Sequence, residues 1–275
     1  DSKGELIFYA SNNIITVIEA YSEKPKEYLS YMGQSKVKAF RLTQNYEWLI
    51  AGYSDGSLKK FETSSGKEIY SRKFSKVKIK CLDICNRKKL VIFGNKEGRL
   101  CSVDLNDFKL KNDNINNNNN VVHKKSVKAL VISRINDFGI SGGADGLILI
   151  FKIKENGVLK PFQTINEFSL PITSIDFSPL SQSCLVGSRD KTMRLFAFIK
   201  GVEKENSKDR FEERFKFPES RGNVNSVCFS LNERFALVGS SDKTLKLYDL
   251  KTASENFTIS LKTAIIKVCF SPNLD

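Results

Sequence analysis

The sequence contains no run of 18 or more apolar residues, only one histidine and one tryptophan, and fewer acidic than basic side chains. Without a long apolar run, no segment is expected to span a bilayer as a helix. Cys81 and Cys85 have no second ligand pair, and a lone histidine cannot complete a zinc cluster. A glycine-rich phosphate-binding fingerprint is also missing. The sequence therefore predicts a protein that is not an enzyme and that binds no cofactor or metal.

The charge balance is strongly basic. Lysine and arginine number 44 against 31 acidic residues, which gives a formal net charge of +13 and an isoelectric point near 9.4. Such an excess favours anionic partners, whether nucleic acid, acidic peptides or anionic lipid surfaces, although it also fits ordinary solubility charge.

The six cysteines are spread among apolar stretches. This predicts buried free thiols, which suit a reducing compartment and therefore an intracellular protein, cytoplasmic or nuclear. Cys228 and Cys269 occupy the same position of a repeated Val-Cys-Phe triplet.

One spacing recurs five times: a valine or isoleucine opens an apolar stretch, and an acidic residue follows 18 positions later. The pairs are Val37 and Asp55, Ile79 and Glu97, Val127 and Asp145, Ile172 and Asp190, and Val224 and Asp242. The openings themselves lie 42, 48, 45 and 52 residues apart. A fixed inner spacing with variable outer spacing indicates one copied supersecondary unit with its insertions in loops.

The copy that begins at Val224 shows what the unit builds. Apolar alternation predicts strands over residues 224–230, 235–240, 244–249 and 257–261, separated by turns rich in Ser, Asp and Asn. Four short antiparallel strands cannot bury both faces alone, so the copies are expected to stack and close into a ring. A glycine three residues before each acid predicts close packing there: Gly52, Gly94, Gly142, Gly187 and Gly239.

The segments GSRDKTMRLF (187–196) and GSSDKTLKLY (239–248) resemble the hairpin between the second and third strands of WD40 repeats. The triplets Phe-Ser-Pro at 177–179 and 270–272 resemble the end of the first strand. The resemblance covers essentially the whole chain and implies an all-β fold, a β-propeller of four-stranded antiparallel blades forming a single domain over residues 1–275. It departs from the family in one respect: no third strand ends in Trp-Asp, and Trp48 lies in a second strand as a core residue.

Six blades can be counted. Five begin near residues 37, 79, 127, 172 and 224, and the sixth would be shared between residues 5–32 and a first strand at 265–270, so that the two chain ends pair. Most members of the family have seven blades, so a seventh stays open if a segment is missing. The start at Asp1 rather than Met favours a fragment or a processed form.

The same resemblance assigns structural roles to His123 and to the turn acids. A histidine four residues before the first strand is expected to hydrogen-bond the acid of its own blade, here Asp145. Asp55, Asp190 and Asp242 are the matching acids of other blades.

Two loops are longer than the rest, and a binding role for either is left open. Residues 111–120 include a run of asparagines and are predicted to be disordered. Residues 200–214 are dense in charge and are predicted to form a short solvated helix or a flexible loop.

Propellers of this family tend to bind partners at the openings of the first strands and at the turns between the second and third strands. Of the 17 positions that the spacing assigns to this surface, eight are basic and none is acidic, where about three would be expected from the 44 basic residues in 275. The predicted partner-binding residues are Lys36, Lys76, Lys78, Lys96, Lys124, Arg189, Arg221 and Lys262.

We therefore expect a non-catalytic scaffold, part of a larger complex, that docks an acidic or phosphorylated protein segment on this surface. The alternative is an RNA-associated component of an RNA-processing or ribosome-assembly particle, although no aromatic side chain lies at the 17 positions for base stacking.

Overall fold

The structure is a computed structural model that describes residues 6–19, 27–74, 76–113, 123–135, 137–179, 183–201 and 208–270. The described residues form six successive antiparallel sheets, one of three strands and five of four strands. This confirms the predicted all-β fold of repeated blades. Each sheet is built from consecutive segments because short turns join neighbouring antiparallel strands.

The strands that follow are numbered in chain order. Sheet 1 contains β1 (Leu6–Ser11), β2 (Ile14–Glu19) and β3 (Glu27–Met32). Sheet 2 contains β4 (Val37–Leu42), β5 (Trp48–Tyr53), β6 (Ser57–Glu62) and β7 (Glu68–Lys73). Sheet 3 contains β8 (Ile79–Cys85), β9 (Leu90–Asn95), β10 (Leu100–Asp104) and β11 (Leu110–Asp113). Sheet 4 contains β12 (Val127–Ile132), β13 (Phe138–Gly143), β14 (Ile148–Ile153) and β15 (Leu159–Ile165). Sheet 5 contains β16 (Ile172–Phe177), β17 (Ser183–Ser188), β18 (Met193–Ile199) and β19 (Arg210–Lys216). Sheet 6 contains β20 (Val224–Phe229), β21 (Phe235–Ser240), β22 (Thr244–Asp249) and β23 (Ser254–Ser260).

The chain divides into two compact units, one made mainly of residues 1–122, which also takes in residues 154–159, and one made mainly of residues 123–270. In the first unit, Tyr31 and Leu49 pack in a core between sheets 1 and 2, and Ile50 and Ile79 pack in a core between sheets 2 and 3. Trp48 is partly buried against the second of these cores, which confirms its predicted packing role. The single domain over residues 1–275 stays a prediction.

In the second unit, stacked sheets enclose two further cores. Ile140 and Ile172 belong to the core shared by sheets 4 and 5. Leu185, Val224 and Tyr248 belong to the core shared by sheets 5 and 6.

Four of the five glycines before the turn acids lie against the next repeat, as the sequence predicts: Gly52, Gly142, Gly187 and Gly239. An added Cβ would lie 2.6 Å from Ile79 at Gly52, 2.6 Å from Val224 at Gly187 and 2.5 Å from Ile265 at Gly239. Each of these contacts is made with the residue that opens the following repeat. A side chain at these glycines would therefore push neighbouring sheets apart.

The prediction of a helix or loop over residues 200–214 is wrong from residue 210 onward. Residues 210–216 form β19, the fourth strand of sheet 5, rather than a helix or a loop. Phe211 is 2% exposed and packs against Phe138, Phe177 and Phe198. Burial of the Phe211 ring stabilises this strand, although the charged residues around it obscure the apolar alternation in the sequence. Of residues 111–120, β11 occupies the start, and the asparagine run lies outside the described residues.

The strand predicted at residues 265–270 is absent from the sheets of the described structure. This segment nevertheless packs like the opening of a further repeat: Asn225 Nδ2 donates to Ile265 O at 2.8 Å, and Val268 N donates to Ser226 Oγ at 3.1 Å. A strand requires a partner ladder, which this segment lacks among the described residues. Pairing of the two chain ends, and a closed ring of six or seven blades, stay predictions.

All six cysteines are free thiols, and Cys81, Cys85, Cys184 and Cys228 are buried as expected. Cys101 is half-buried. Cys269 is exposed although it shares its repeat position with Cys228, and no strand among the described residues pairs with the segment that carries it.

Candidate partner-binding surface

Each turn between the second and third strands of sheets 2, 4, 5 and 6 is held by its acidic residue. The carboxylates of Asp55, Asp145, Asp190 and Asp242 accept the backbone N–H two residues further on, at distances of 2.9 to 3.2 Å. Burial alone would raise the pKa of Asp242, but hydrogen bonds from Thr244 and Gly222 outweigh it, so this pKa is lowered and the carboxylate stays ionised. These bonds fix the turns that carry the neighbouring basic residues.

Sheet 3 builds the same turn differently. Glu97 is exposed, and the side-chain oxygen of Asn95 accepts the N–H groups of Glu97 and Arg99 at 2.9 and 3.0 Å. The 18-residue spacing marked Glu97 by position and missed Asn95, because Asn can also cap a turn from its first residue.

The sequence-predicted hydrogen bond of His123 is present. The imidazole is 1% exposed; its Nδ1 lies 3.1 Å from Asp145 Oδ1 and its Nε2 lies 2.9 Å from Ser141 Oγ. A carboxylate only accepts, so Nδ1–H donates to Asp145 and Nε2 accepts from the Ser141 hydroxyl. Burial lowers the pKa of His123 although Asp145 acts in the opposite direction, which keeps the ring neutral at pH 7. An added Cβ at Gly143 would collide with both His123 and Asp145.

Two kinds of predicted surface position meet within every four-stranded sheet: the residue before the first strand and the residue before the turn acid. The residue before the turn acid donates its N–H to the carbonyl of the residue before the first strand, as in Ser54 to Lys36 at 2.8 Å and Lys96 to Lys78 at 2.9 Å. Arg189 makes the same bond to Pro171 at 3.0 Å. We call these ends of the sheets, with their turns, the basic ends.

All eight predicted basic residues are exposed at these ends. Lys36, Lys76, Lys78 and Lys96 belong to the first unit, and Lys124, Arg189, Arg221 and Lys262 belong to the second. Within the described part of the chain, none of the eight side chains forms an ion pair.

Three glutamates near the basic ends are paired with other cations. Glu97 lies 3.7 Å from Arg99, Glu167 lies 4.0 Å from Arg194, and Glu219 lies 3.8 Å from Lys216. The eight exposed cations therefore keep their charge available to an anionic ligand.

The opposite ends of the sheets have a different charge pattern. Turns there carry both signs, which pair as Lys88 with Glu155 at 3.0 Å, Lys109 with Asp107 at 3.0 Å and Arg234 with Asp249 at 3.1 Å. Lys88, Lys109 and Arg234 are therefore neutralised by neighbouring acids, unlike the eight cations at the basic ends.

Sequence reasoning missed two further cations at the basic ends of the second unit. Lys191 and Lys243 occupy the turn position directly after the acid, with φ of 72° and 73°. Gly56, Gly98 and Gly146 fill this left-handed position in the other three turns. The repeated Asp-Lys-Thr triplets could have indicated both lysines, because the residue that follows the turn acid lies at the tip of the turn.

Backbone bonds connect these lysines to the predicted cations next to them. Ser220 donates to Lys191 O at 2.9 Å and precedes Arg221, while Leu261 donates to Lys243 O at 2.8 Å and precedes Lys262. The Gly222 N–H reaches Asp242 Oδ2 at 3.1 Å. These bonds place Lys191 next to Arg221 and Lys243 next to Lys262 at the basic ends of sheets 5 and 6, with the Asp242 carboxylate close to Arg221.

The described residues contain no group of three or more His, Cys, Asp or Glu side chains placed to hold a metal ion. They also contain no helix with the length and apolarity needed to cross a membrane.

Two family models match the chain. The model described as "CNH domain" matches residues 47–214, and the model described as "WD domain, G-beta repeat" matches residues 211–249.

Similar curated proteins are matched over part of their length. Cleavage stimulation factor subunit 50 of Arabidopsis thaliana is 28% identical over 138 residues, which are 47% of this chain and 30% of that protein. Mitochondrial division protein 1 of Mycosarcoma maydis is 30% identical over 101 residues, which are 36% of this chain and 11% of that protein.

Among solved structures, the computationally designed Ika8 protein matches with a TM-score of 0.75 over 97% of this chain and 75% of that chain. At 16% sequence identity, this match shows a shared fold.

Proposed function

We propose, since this chain belongs to the WD40-repeat family of β-propellers and to the CNH-domain family, that it docks an acidic or phosphorylated segment of a partner protein on its basic ends. WD40 propellers bind protein partners and generally act as non-enzymatic scaffolds, and this chain is a protein-interaction scaffold of that kind. The further proposal concerns the chemistry of the partner.

The observation that carries the proposal is a set of exposed cations without ion pairs at the basic ends. Eight exposed lysines and arginines there form no ion pair within the described structure, whereas Lys88, Lys109 and Arg234 at the other ends are each paired with an acid. Exposed cations that lack internal partners attract carboxylates or phosphates and raise the rate of encounter with them.

We place the complex in a reducing compartment inside the cell and take the chain to act as a single propeller domain within a larger assembly. Four buried free thiols support the compartment. Buried thiols in an oxidising compartment would be at risk of forming disulfides during folding.

RNA is the second candidate because phosphates alone could bind the same cations. The basic ends offer no aromatic platform at the 17 assigned positions, so such binding would be independent of base identity and strongly weakened by salt.

The test is a titration of acidic and phosphorylated peptide libraries against the wild type and a Lys76→Glu, Lys78→Glu, Arg189→Glu variant. A matched control reverses three exposed lysines at the opposite ends: Lys67→Glu, Lys89→Glu and Lys251→Glu. Both variants change the net charge by the same amount, so a difference between them reports the location of the charge.

We expect the basic-end variant to lose at least about tenfold in affinity, because each reversal at a basic end replaces attraction of an anionic ligand by repulsion, while the control changes by less than about threefold. Equal binding by all three proteins would remove the proposal. Tight binding of single-stranded RNA at low salt without any peptide binding would favour the second candidate.

A further inference from the structure

Residues 265–270 lie against β20 in the place of a further first strand, although they form no ladder among the described residues. Val268 N donates to Ser226 Oγ at 3.1 Å. An added Cβ at Gly239 would lie 2.5 Å from Ile265 and 2.8 Å from Val268. Hydrogen bonding and close packing therefore fix this segment beside β20.

Neighbouring first strands in this unit share a second kind of bond. The side chain at the fifth position of one strand accepts the backbone N–H at the sixth position of the next. Phe229 N donates in this way to Asp176 Oδ2 at 2.8 Å. One repeat later, Phe270 N donates to the sulfur of Cys228. The Cys228 thiol thus takes the place of the Asp176 carboxylate and points at the backbone of the following segment.

This bond brings the sulfur of Cys228 close to Cys269, because Phe270 N is joined to Cys269 Cα through a single carbonyl carbon. Those two backbone atoms are about 2.4 Å apart, so a hydrogen bond of about 3 to 4 Å places the Cys228 sulfur within about 6.5 Å of Cys269 Cα. The Cα atoms of disulfide-linked residues usually lie about 4.4 to 6.8 Å apart. A small shift of the segment therefore brings the two sulfurs within bonding distance.

The two thiols differ in their access to solvent. Cys228 is 8% exposed and packs with Ile265 and Val268, whereas Cys269 is exposed. Burial raises the pKa of Cys228 to about 12, and the carboxylate of Asp176 acts in the same direction. Because oxidation of a thiol depends on its exposure and its thiolate character, a dissolved oxidant reacts with Cys269 before Cys228.

We propose that Cys228 and Cys269 form a peroxide-responsive thiol pair, in which Cys269 is oxidised first and Cys228 closes a disulfide. The sulfur of Cys269 attacks one oxygen of hydrogen peroxide, the O–O bond breaks, and a sulfenic acid forms as water leaves. The sulfur of Cys228 then attacks the sulfenic sulfur, and the S–O bond breaks. The hydroxyl group leaves as water with the proton of Cys228. Two thiols lose two electrons in total, and the peroxide is reduced to two water molecules.

The disulfide would tie residues 265–270 covalently to sheet 6. In the described structure this segment has an unpaired backbone edge, and its Ile266 is 82% exposed. Since an unpaired edge is where a further strand would add, oxidation would fix the position of that edge. A disulfide that requires a shift of the backbone is readily reduced, which suits a switch in a reducing compartment. This pair acts independently of docking at the basic ends.

The experiment treats the reduced full chain with stoichiometric hydrogen peroxide, blocks the remaining thiols with N-ethylmaleimide and digests the protein with trypsin. Mass spectrometry identifies any link between residues 222–234 and residues 268–275, the tryptic peptides that carry the two thiols. Dimedone captures sulfenic acid in a parallel sample. The variants are Cys228→Ser and Cys269→Ser. The matched control is Cys101→Ser, which removes a half-buried thiol outside the pair.

The wild type and Cys101→Ser should both give the linked peptides, and dithiothreitol should separate them. Cys228→Ser and Cys269→Ser should give none. Dimedone labelling of Cys269 should rise at least about fivefold in Cys228→Ser, because the thiol that resolves the sulfenic acid is missing. Circular dichroism should show that the variants are folded, and Cys228→Ala repeats the measurement with an apolar side chain at the buried position.

Equal dimedone labelling of Cys269 in the wild type and in both Cys228 variants, without linked peptides, would overturn the thiol pair. Links from Cys269 to Cys101, or to Cys269 of a second molecule, in amounts equal to the link to Cys228 would also overturn it, because they would report unselective oxidation. Oxidation of Cys101 at a peroxide concentration that leaves Cys269 unchanged would contradict the order of reaction and remove the proposal.

Discussion

The buried imidazole of His123 holds the turn of sheet 4 through hydrogen bonds to Asp145 and Ser141. The turns of the other sheets form without an imidazole, since His123 is the only histidine of the chain. Its place depends on a neighbour with no side chain, because an added Cβ at Gly143 would meet both His123 and Asp145. The sequence predicted the bond to Asp145 by resemblance. It did not predict the second bond to Ser141, because only the folded register of β13 shows which hydroxyl faces the ring.

Protonation of His123 should couple to stability. Its pKa is lowered by burial in the folded protein, whereas an imidazole in the unfolded chain titrates near pH ~6.5. As the pH falls, the unfolded state therefore takes up this proton before the folded state does. The contribution of the neutral imidazole to the free energy of unfolding is fully present above about pH 6.5 and is lost as the pH falls below it. Urea unfolding should show that the free energy of unfolding of the wild type decreases from about pH 7.5 to about pH 5.5. The same decrease should be smaller in His123→Gln.

The single histidine also gives a direct check by nuclear magnetic resonance. Its imidazole resonance in the folded protein should titrate with a midpoint lower than that of a free imidazole, which is about 6.5, because burial lowers the pKa of His123. A midpoint above about 6.5 would contradict the burial account.

At the scale of the strand, the sequence predicted most elements because apolar alternation and turn residues recur at a fixed interval. It failed at β19, where Phe211 is buried but the acidic and basic residues around it hide the alternation. The sequence also did not predict the β-bulge at the second residue of the first strand in each four-stranded sheet. A bulge is defined by the pairing with the opposite strand, which the local sequence does not indicate.

The two phenylalanines of β19 provide a matched test of this strand. Phe211 is 2% exposed and surrounded by other rings, whereas Phe215 is 41% exposed. Phe211→Ala should destabilise the protein by about 3 to 5 kcal/mol because it leaves a cavity in the core of sheets 4 and 5. Phe215→Ala should cost less than about 1 kcal/mol. Similar losses in chemical denaturation would mean that β19 does not seal this core.

The glycine contacts between sheets are testable by compensation. Gly187→Ala should destabilise by about 1 to 3 kcal/mol because its Cβ would overlap Val224, 2.6 Å away. Val224→Ala removes the obstructing methyl groups, so the double variant should be more stable than the sum of the single effects predicts. Strict additivity in denaturant unfolding would contradict a direct contact between the two positions.

At the scale of the whole chain, the 18-residue spacing predicted five repeats and guided the prediction of eight exposed cations, and the structure places all eight at the same ends of their sheets. The spacing could not foresee Lys191 and Lys243, because it was anchored on the acid before them. Pairing of residues 265–270 with sheet 1 depends on a long-range ladder, which local alternation does not encode.

The docking of an acidic or phosphorylated partner on the basic ends is tested most directly by lysine acetylation footprinting of the full chain with and without a bound phosphopeptide. Mass spectrometry should show that the peptide protects lysines at the basic ends, either Lys36, Lys78 and Lys96 of the first unit or Lys124 and Lys262 of the second, because a bound anion covers their ammonium groups. Lys67, Lys89 and Lys251, exposed at the opposite ends, should react equally in both samples. Protection of the opposite-end lysines, or unchanged reactivity of the basic-end lysines under saturating peptide, would contradict the account.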